Sequence, residues 1–174
     1  MRILQFYQCD NTEYWIKKIA ESDWNAGKYL AELLETDKLK QLCGEFSDVL
    51  MLTDDDKLIS FCTLAEKDEI PDTEMKPWIG FVYTFPQYRG KRYIGKLINH
   101  ACHIAAEHNY NALYISTDQK GLYENFGFTF TGIEKMSRDE INKYVAEMQK
   151  QGIHTSTSME ITLSLLDCPR RIFI

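Results

Sequence analysis

Hydrophobic positions change their spacing several times along this chain. The opening RILQFYQ alternates like a short strand. From about residue 11 to 42 the spacing is helical. Ala26, Tyr29, Leu30, Leu33 and Leu34 fall on one stripe. Ser22–Asp23 interrupts this helical stretch, and Asp23 is expected to cap the second helix. The period then shortens. DVLMLT and LISFCTL are apolar runs of strand length on either side of DDDK, which predicts a hairpin with a polar turn. EKDEIPDTEMKP reads as an acidic loop, and WIGFVYTF as the next strand. From Tyr93 to about Asn109, Ile94, Leu97, Ile98, Ala101, Cys102 and Ala105 form the apolar stripe of a helix. ALYIST predicts a buried strand, and KGLYENFGF a short helix stopped by Gly127. FTFTGIEKM and TSMEITLSL read as closing strands. SRDEINKYVAEMQ between them has Ser137 and Glu140 at capping-box spacing. The tail LDCPRRIFI carries no pattern. Hairpin, strand, crossover helix and strand together imply a mixed sheet with helices packed on it. No linker composition interrupts residues 1–174, so one domain is expected.

Composition narrows the function classes. The chain is 44% hydrophobic and 13% aromatic, which suits a globular core. A net charge of −6 argues against binding to nucleic acid or to an anionic membrane. Cys9, Cys43, Cys62, Cys102 and Cys168 are scattered singly without CxxC spacing, which suggests buried free thiols in a reducing compartment. No apolar run is long enough to span a bilayer, so a cytoplasmic location is expected. His100, His103 and His108 lie on or just after the crossover helix, where packing or surface roles are expected. No group of carboxylates and histidines has metal-ligand spacing, so no metal is expected.

Within this acidic chain, FPQYRGKRYIGKLI concentrates positive charge at a strand-to-helix junction. The first amides of a helix lack intrahelical acceptors and carry partial positive charge. A pyrophosphate can accept hydrogen bonds from several of them at once. Gly90 allows a sharp bend there, and Arg89, Lys91, Arg92 and Lys96 add cationic charge. The competing reading is a solvated basic turn. GxxxxGK[ST] fails because Leu97 follows Lys96, and GxGxxG is absent.

WIGFVYTFPQYRGKRYIGKLI and ALYISTDQKGLYENFGF together resemble the GCN5-related N-acetyltransferases. The order of elements over most of residues 1–165 resembles them too. The resemblance implies an α/β (α+β) fold, with a mixed, mostly antiparallel twisted sheet and helices on both faces. It also implies transfer of an acetyl group from acetyl-CoA directly to a primary amine, without a covalent enzyme intermediate. Backbone groups of Val82, Tyr83 and Thr84 would hold the pantetheine arm. The segment Arg89, Gly90, Lys91, Arg92, Tyr93, Ile94, Gly95 and Lys96 would hold the pyrophosphate. Tyr123, in Leu-Tyr-Glu-x-x-Gly-Phe, would be the general acid that protonates the departing thiolate. Its alternative is a packing role. Glu66, Asp68 and Glu69 would border the acceptor cleft, and the acidic loop would attract a cationic amine. The family loop usually reads [Gln/Arg]-x-x-Gly-x-[Gly/Ala]. Starting at Gln87, this chain has Arg92 where a small residue is usual. That departure favours a second reading, a non-catalytic acyl-CoA sensor or interaction module on the same fold. The expected partner is a small-molecule or peptide amine, and the expected state a monomer or homodimer. The helix near 137–149 and the tail lie outside the common pattern.

Overall fold

The protein is described from a computed structural model, which covers residues 1–68, 74–117, 119, 121–130 and 170–173. After β1 (Arg2–Gln5) and a short 3-10 turn come three helices, α1 (Thr12–Ala20), α2 (Asn25–Glu35) and α3 (Leu39–Cys43). The hairpin of β2 (Asp48–Asp54) and β3 (Lys57–Ala65) comes next, then β4 (Trp78–Thr84). The crossover helix α4 (Ile94–Glu107) leads to β5 (Leu113–Ser116). A 3-10 turn at Tyr123–Phe126 precedes β6 (Thr129–Phe130), and β7 (Arg170–Phe173) closes the described chain.

The strands form one sheet in the order β1-β2-β3-β4-β5-β7-β6. The pairings from β1 to β4 are antiparallel. Those of β4 with β5, β5 with β7 and β6 with β7 are parallel. The mixed sheet that the pattern predicts is present, with helices on both faces as the resemblance implies. β2 and β3 read as unbroken apolar runs because both faces are covered. Leu50 and Leu52 point to the α4 side, with Ile59, Ile79, Leu97, Ile98 and Ala101. Val49 and Met51 point to the other side, with Phe61, Ile19, Leu30 and Leu39 of α1–α3. Each fully buried Leu or Ile there contributes roughly 1.5–3 kcal/mol.

Several local expectations change. Asn11, not Asp23, caps a helix in this region, its side chain accepting from the Tyr14 amide (3.2 Å). Helix α2 begins one residue after Trp24, and Asp23 is bonded elsewhere. The stretch to residue 42 breaks a second time, at Asp37, whose φ is 54°. The tail, patternless in sequence, supplies β7 between β5 and β6. A four-residue parallel strand is too short to show a period. The expected helix at SRDEINKYVAEMQ and strand at TSMEITLSL lie outside the described residues. Cys43, Cys62 and Cys102 are buried and outside any disulfide, as expected, whereas Cys9 is only half-buried. Cys168 lies outside the described residues. No helix among the described residues is long and apolar enough to cross a membrane. Nor does any group of three or more His, Cys, Asp or Glu among them have the arrangement of a metal site.

Candidate active site

The site starts from an irregularity in β4. Thr63 of β3 faces Gly80, but Phe61 faces Tyr83, so β4 carries one extra residue across from Cys62. This is a β-bulge, and Phe81 takes a φ of 47° within it. Bulges bend a strand and redirect the residues beyond them. The consequence is visible on the opposite edge. β4 pairs with β5 only at Trp78–Tyr114 and Ile79–Ile115, then leaves it. The Phe85 amide donates to Ile59 O (3.1 Å), and the Ser60 hydroxyl donates to Tyr83 O (2.7 Å). Tyr83 and Phe85 therefore turn their backbone groups to β3. Strand alternation turns those of Val82 and Thr84 to the edge that β5 has left.

Beyond β4, Pro86–Tyr88 forms a 3-10 turn, and residues 89–93 lead into α4. Gly90 has a φ of +80°, with open space around a would-be Cβ. Glycine is needed there for its backbone conformation, not for room. Arg92 also sits in the left-handed region, with a φ of 54°. The residue usual at that position in the resembled loop is small, and a glycine there would carry no strain. Among the described residues, nothing accepts from the amides of Gly90, Lys91, Arg92, Tyr93 or Ile94. Five such amide donors thus lie in and just before the first turn of a fourteen-residue helix. Lys91, Arg92 and Lys96 are exposed, and none has a carboxylate partner among the described residues. Arg89 differs. Its Nε donates to Thr84 O (2.9 Å), and its Nη2 lies 3.8 Å from Asp23 Oδ1.

Tyr123 opens the 3-10 turn that Gly127 stops, with a left-handed φ of 72°. Its ring is buried, 4% exposed, edge-on to Phe128 at 5.9 Å, in the core beneath α4. The same turn touches the head of α4 through Phe126. A Cβ on Gly95 would stand 2.8 Å from the Phe126 ring. Gly95 therefore lets the Tyr123 turn and the start of α4 approach each other. Its value for packing is not visible in the loop pattern.

Glu66 and Asp68 sit at the other end of β4. Ala65 pairs with Trp78, the first residue of the strand, and Glu66 forms an ion pair with Lys76 (3.4 Å). Along a strand of this length, that end is roughly 20 Å from Thr84. The structure does not bring Glu66 and Asp68 to the 89–96 segment, and Glu69 lies outside the described residues. At the near end an open pocket of about 430 Å³ lies between the end of α1 and the start of β3. Glu21, Asp23, Asp56, Lys18, Lys57, Tyr83, Phe85 and Tyr88 help to line it. Burial, followed by its hydrogen bond to Asp23, pushes the Tyr83 phenol up. The sequence pattern assigns Tyr83 a backbone role and Asp23 a capping role. No local signal links two residues 60 positions apart.

The profile of the acetyltransferase (GNAT) family matches residues 5–128. The chain belongs to that family. Structures of similar fold come from the same family of enzymes. One is the apo aminoglycoside 6'-N-acetyltransferase AAC(6')-IG of Acinetobacter haemolyticus. It is 16% identical, over 79% of this chain and 95% of that one, with a TM-score of 0.55. Another is a predicted acetyltransferase of Clostridium acetobutylicum with acetyl-CoA, 18% identical over 81% and 96% of the two chains, TM-score 0.51. A third is AAC(6')-Iy in complex with the bisubstrate analogue CoA-S-monomethyl-acetylneamine, 14% identical over 79% and 96%, TM-score 0.54. No curated protein matches the sequence. For this GNAT chain, likeness at such identity speaks for the fold, and the site has to be argued from its own residues.

Proposed function

We propose that this acetyltransferase moves an acetyl group from acetyl-CoA directly to a primary amine, in a single domain. The observation that carries the reading is the parting of β4 from β5 beside five unbonded amides at the head of α4. A parted parallel pair leaves the backbone groups of Val82 and the amide of Thr84 for an amide-containing arm such as pantetheine, while Thr84 O is held by Arg89 Nε. The amides of Gly90 to Ile94 suit a pyrophosphate, with Lys91, Arg92 and Lys96 as cationic partners. Tyr123 supplies the proton for the departing thiolate. The acceptor amine must shed its own proton before attack.

The test is calorimetric titration with acetyl-CoA, followed by CoA release with a panel of aminoglycosides, polyamines and peptide N-termini. Binding with turnover on at least one amine supports the transferase. Binding without turnover on any would favour the acyl-CoA sensor. No binding would remove both readings.

Two acidic groups compete to receive the amine. Glu66 and Asp68 are the pair that the sequence points to, whereas Glu21 and Asp56 line the pocket that shares Tyr83 with β4. The pocket is our choice. Glu21→Gln/Asp56→Asn is expected to raise the KM of the best panel amine and weaken its salt dependence, because screening acts on the attraction removed. Glu66→Gln/Asp68→Asn should leave both near wild type. The reverse result would return the acceptor to the other end of β4.

Arg92 yields a prediction with two opposite signs. Arg92→Gly relieves a left-handed φ that costs a side-chain-bearing residue roughly 1–2 kcal/mol. Glycine's larger unfolded-state entropy offsets part of this, so stability should rise by up to about 1 kcal/mol. A rise in Tm of about 2–4 °C would report it. Loss of the guanidinium should weaken CoA binding by about tenfold, as expected for one charged hydrogen bond. Unchanged affinity would remove Arg92 from the phosphate site.

A further inference from the structure

Arg89, Asp23 and Tyr83 form a cluster that neither the amide site nor Tyr123 explains. The Tyr83 hydroxyl donates to Asp23 Oδ1, and the Asp23 amide donates back to the Tyr83 oxygen (3.3 Å). Trp24, next in the chain, stacks on the Tyr83 ring (6.0 Å, 6°) and meets Phe81 of the bulge edge-on (6.5 Å). The α1–α2 loop is thereby fastened to the irregular part of β4. Arg89 approaches the same ring, its Cζ 5.6 Å from the centroid, while its Nε holds Thr84 O. Its guanidinium is planar and presents its donors in a fixed fork, so these contacts constrain one another. Arg89 directly precedes Gly90, the residue with a φ of +80° and open space around it. Arg89 therefore joins the loop bearing the amides to Thr84 by a hydrogen bond, and to Tyr83 and Asp23 by charge contacts.

We propose that Asp23, Tyr83 and Arg89 are positioning residues. They form a latch through which occupation of the amides at 90–94 sets the α1–α2 loop, and with it one wall of the pocket. In this role Arg89 is a mechanical link and not a phosphate ligand. The inference deepens the cofactor reading and rests on it. The proposed coupling runs from Arg89 through its hydrogen bond to Thr84 O, its 3.8 Å ion pair with Asp23 and its approach to the Tyr83 ring, and from there through the Tyr83–Asp23 hydrogen bond and the Trp24 stack.

The experiment uses the full chain labelled with 5-fluorotryptophan. Trp15, Trp24 and Trp78 give three fluorine resonances, and Trp24→Phe assigns the one needed. Saturating CoA is expected to shift the Trp24 resonance in the wild type. Tyr83→Phe keeps the ring and removes the hydroxyl. Arg89→Gln removes the charge and the fork. In both, the Trp24 shift should become at least about threefold smaller. CoA affinity measured by calorimetry should stay within about threefold of wild type, because in the latch neither group is a phosphate ligand. Thermal unfolding of both variants near the wild-type temperature would show that packing is intact. A wild-type Trp24 resonance that ignores CoA overturns the latch, as does an undiminished shift in both variants. Weakening of CoA binding by about tenfold or more in Arg89→Gln would make Arg89 a phosphate ligand instead. Absence of CoA binding to the wild type would overturn the cofactor reading and the latch together. Calorimetry thus separates the two failures.

Discussion

Tyr123→Phe is expected to lower kcat by about 10²-fold while leaving acetyl-CoA affinity close to wild type. The substitution deletes one oxygen. The ring stays edge-on to Phe128, and the turn still packs on the head of α4 through Phe126 and Gly95. On the proposed role, what is lost is a donor for the sulfur that becomes a thiolate as the thioester breaks. A phenol is protonated at neutral pH and can supply that proton. The interaction develops only as charge develops, so its loss belongs in kcat and not in binding. Single-turnover measurement is the proper readout, because product release limits many enzymes. An unchanged single-turnover rate would leave Tyr123 as a core tyrosine. Its 4% exposure fits either role, so kinetics must decide.

Gly90→Asp should weaken CoA binding by on the order of 10²-fold at low salt. Two effects act together. An L-residue at a φ of +80° is strained, and a carboxylate would stand among the amides and cations proposed to receive the pyrophosphate. Gly90→Ala separates them. Its Cβ would meet nothing within 4 Å, so only the backbone strain remains. Alanine should therefore lower Tm with a smaller loss of affinity. The additional loss in the aspartate variant should shrink as salt is raised, because screening weakens charge repulsion at an exposed loop. If Gly90→Asp folds normally and binds CoA as tightly as wild type, the cofactor site lies elsewhere.

The sequence determined whatever depends on near neighbours in the chain. Helix α4 was readable because Ile94, Leu97, Ile98, Ala101, Cys102 and Ala105 repeat at helical spacing, and all six are buried against the sheet. The β2–β3 hairpin was readable because two apolar runs flank a polar turn, where Asp55 takes a φ of 50°. Gly90 and Gly127 marked left-handed backbone, since glycine alone adopts it without strain. The family resemblance rests on these local motifs, and the match over residues 5–128 agrees with it.

Tertiary structure decided what each of those motifs faces. The bulge at Phe81 depends on register against Thr63 and Phe61, which no stretch of β4 alone encodes. Gly95 has the sequence position of an anion-loop residue, and only the Phe126 ring beside it reveals a packing role. Arg89 is one of four cations in the segment 89–96, yet its hydrogen bond to Thr84 and its ion pair with Asp23 set it apart from Lys91, Arg92 and Lys96. Asp23 has the residue type of a helix cap, but its carboxylate receives the Tyr83 hydroxyl. The tail 170–173 has no pattern at all and becomes β7 between β5 and β6. Side-chain period reports only whether a face is covered. Which group covers it depends on the order and register of distant strands, and those are set when the whole sheet closes.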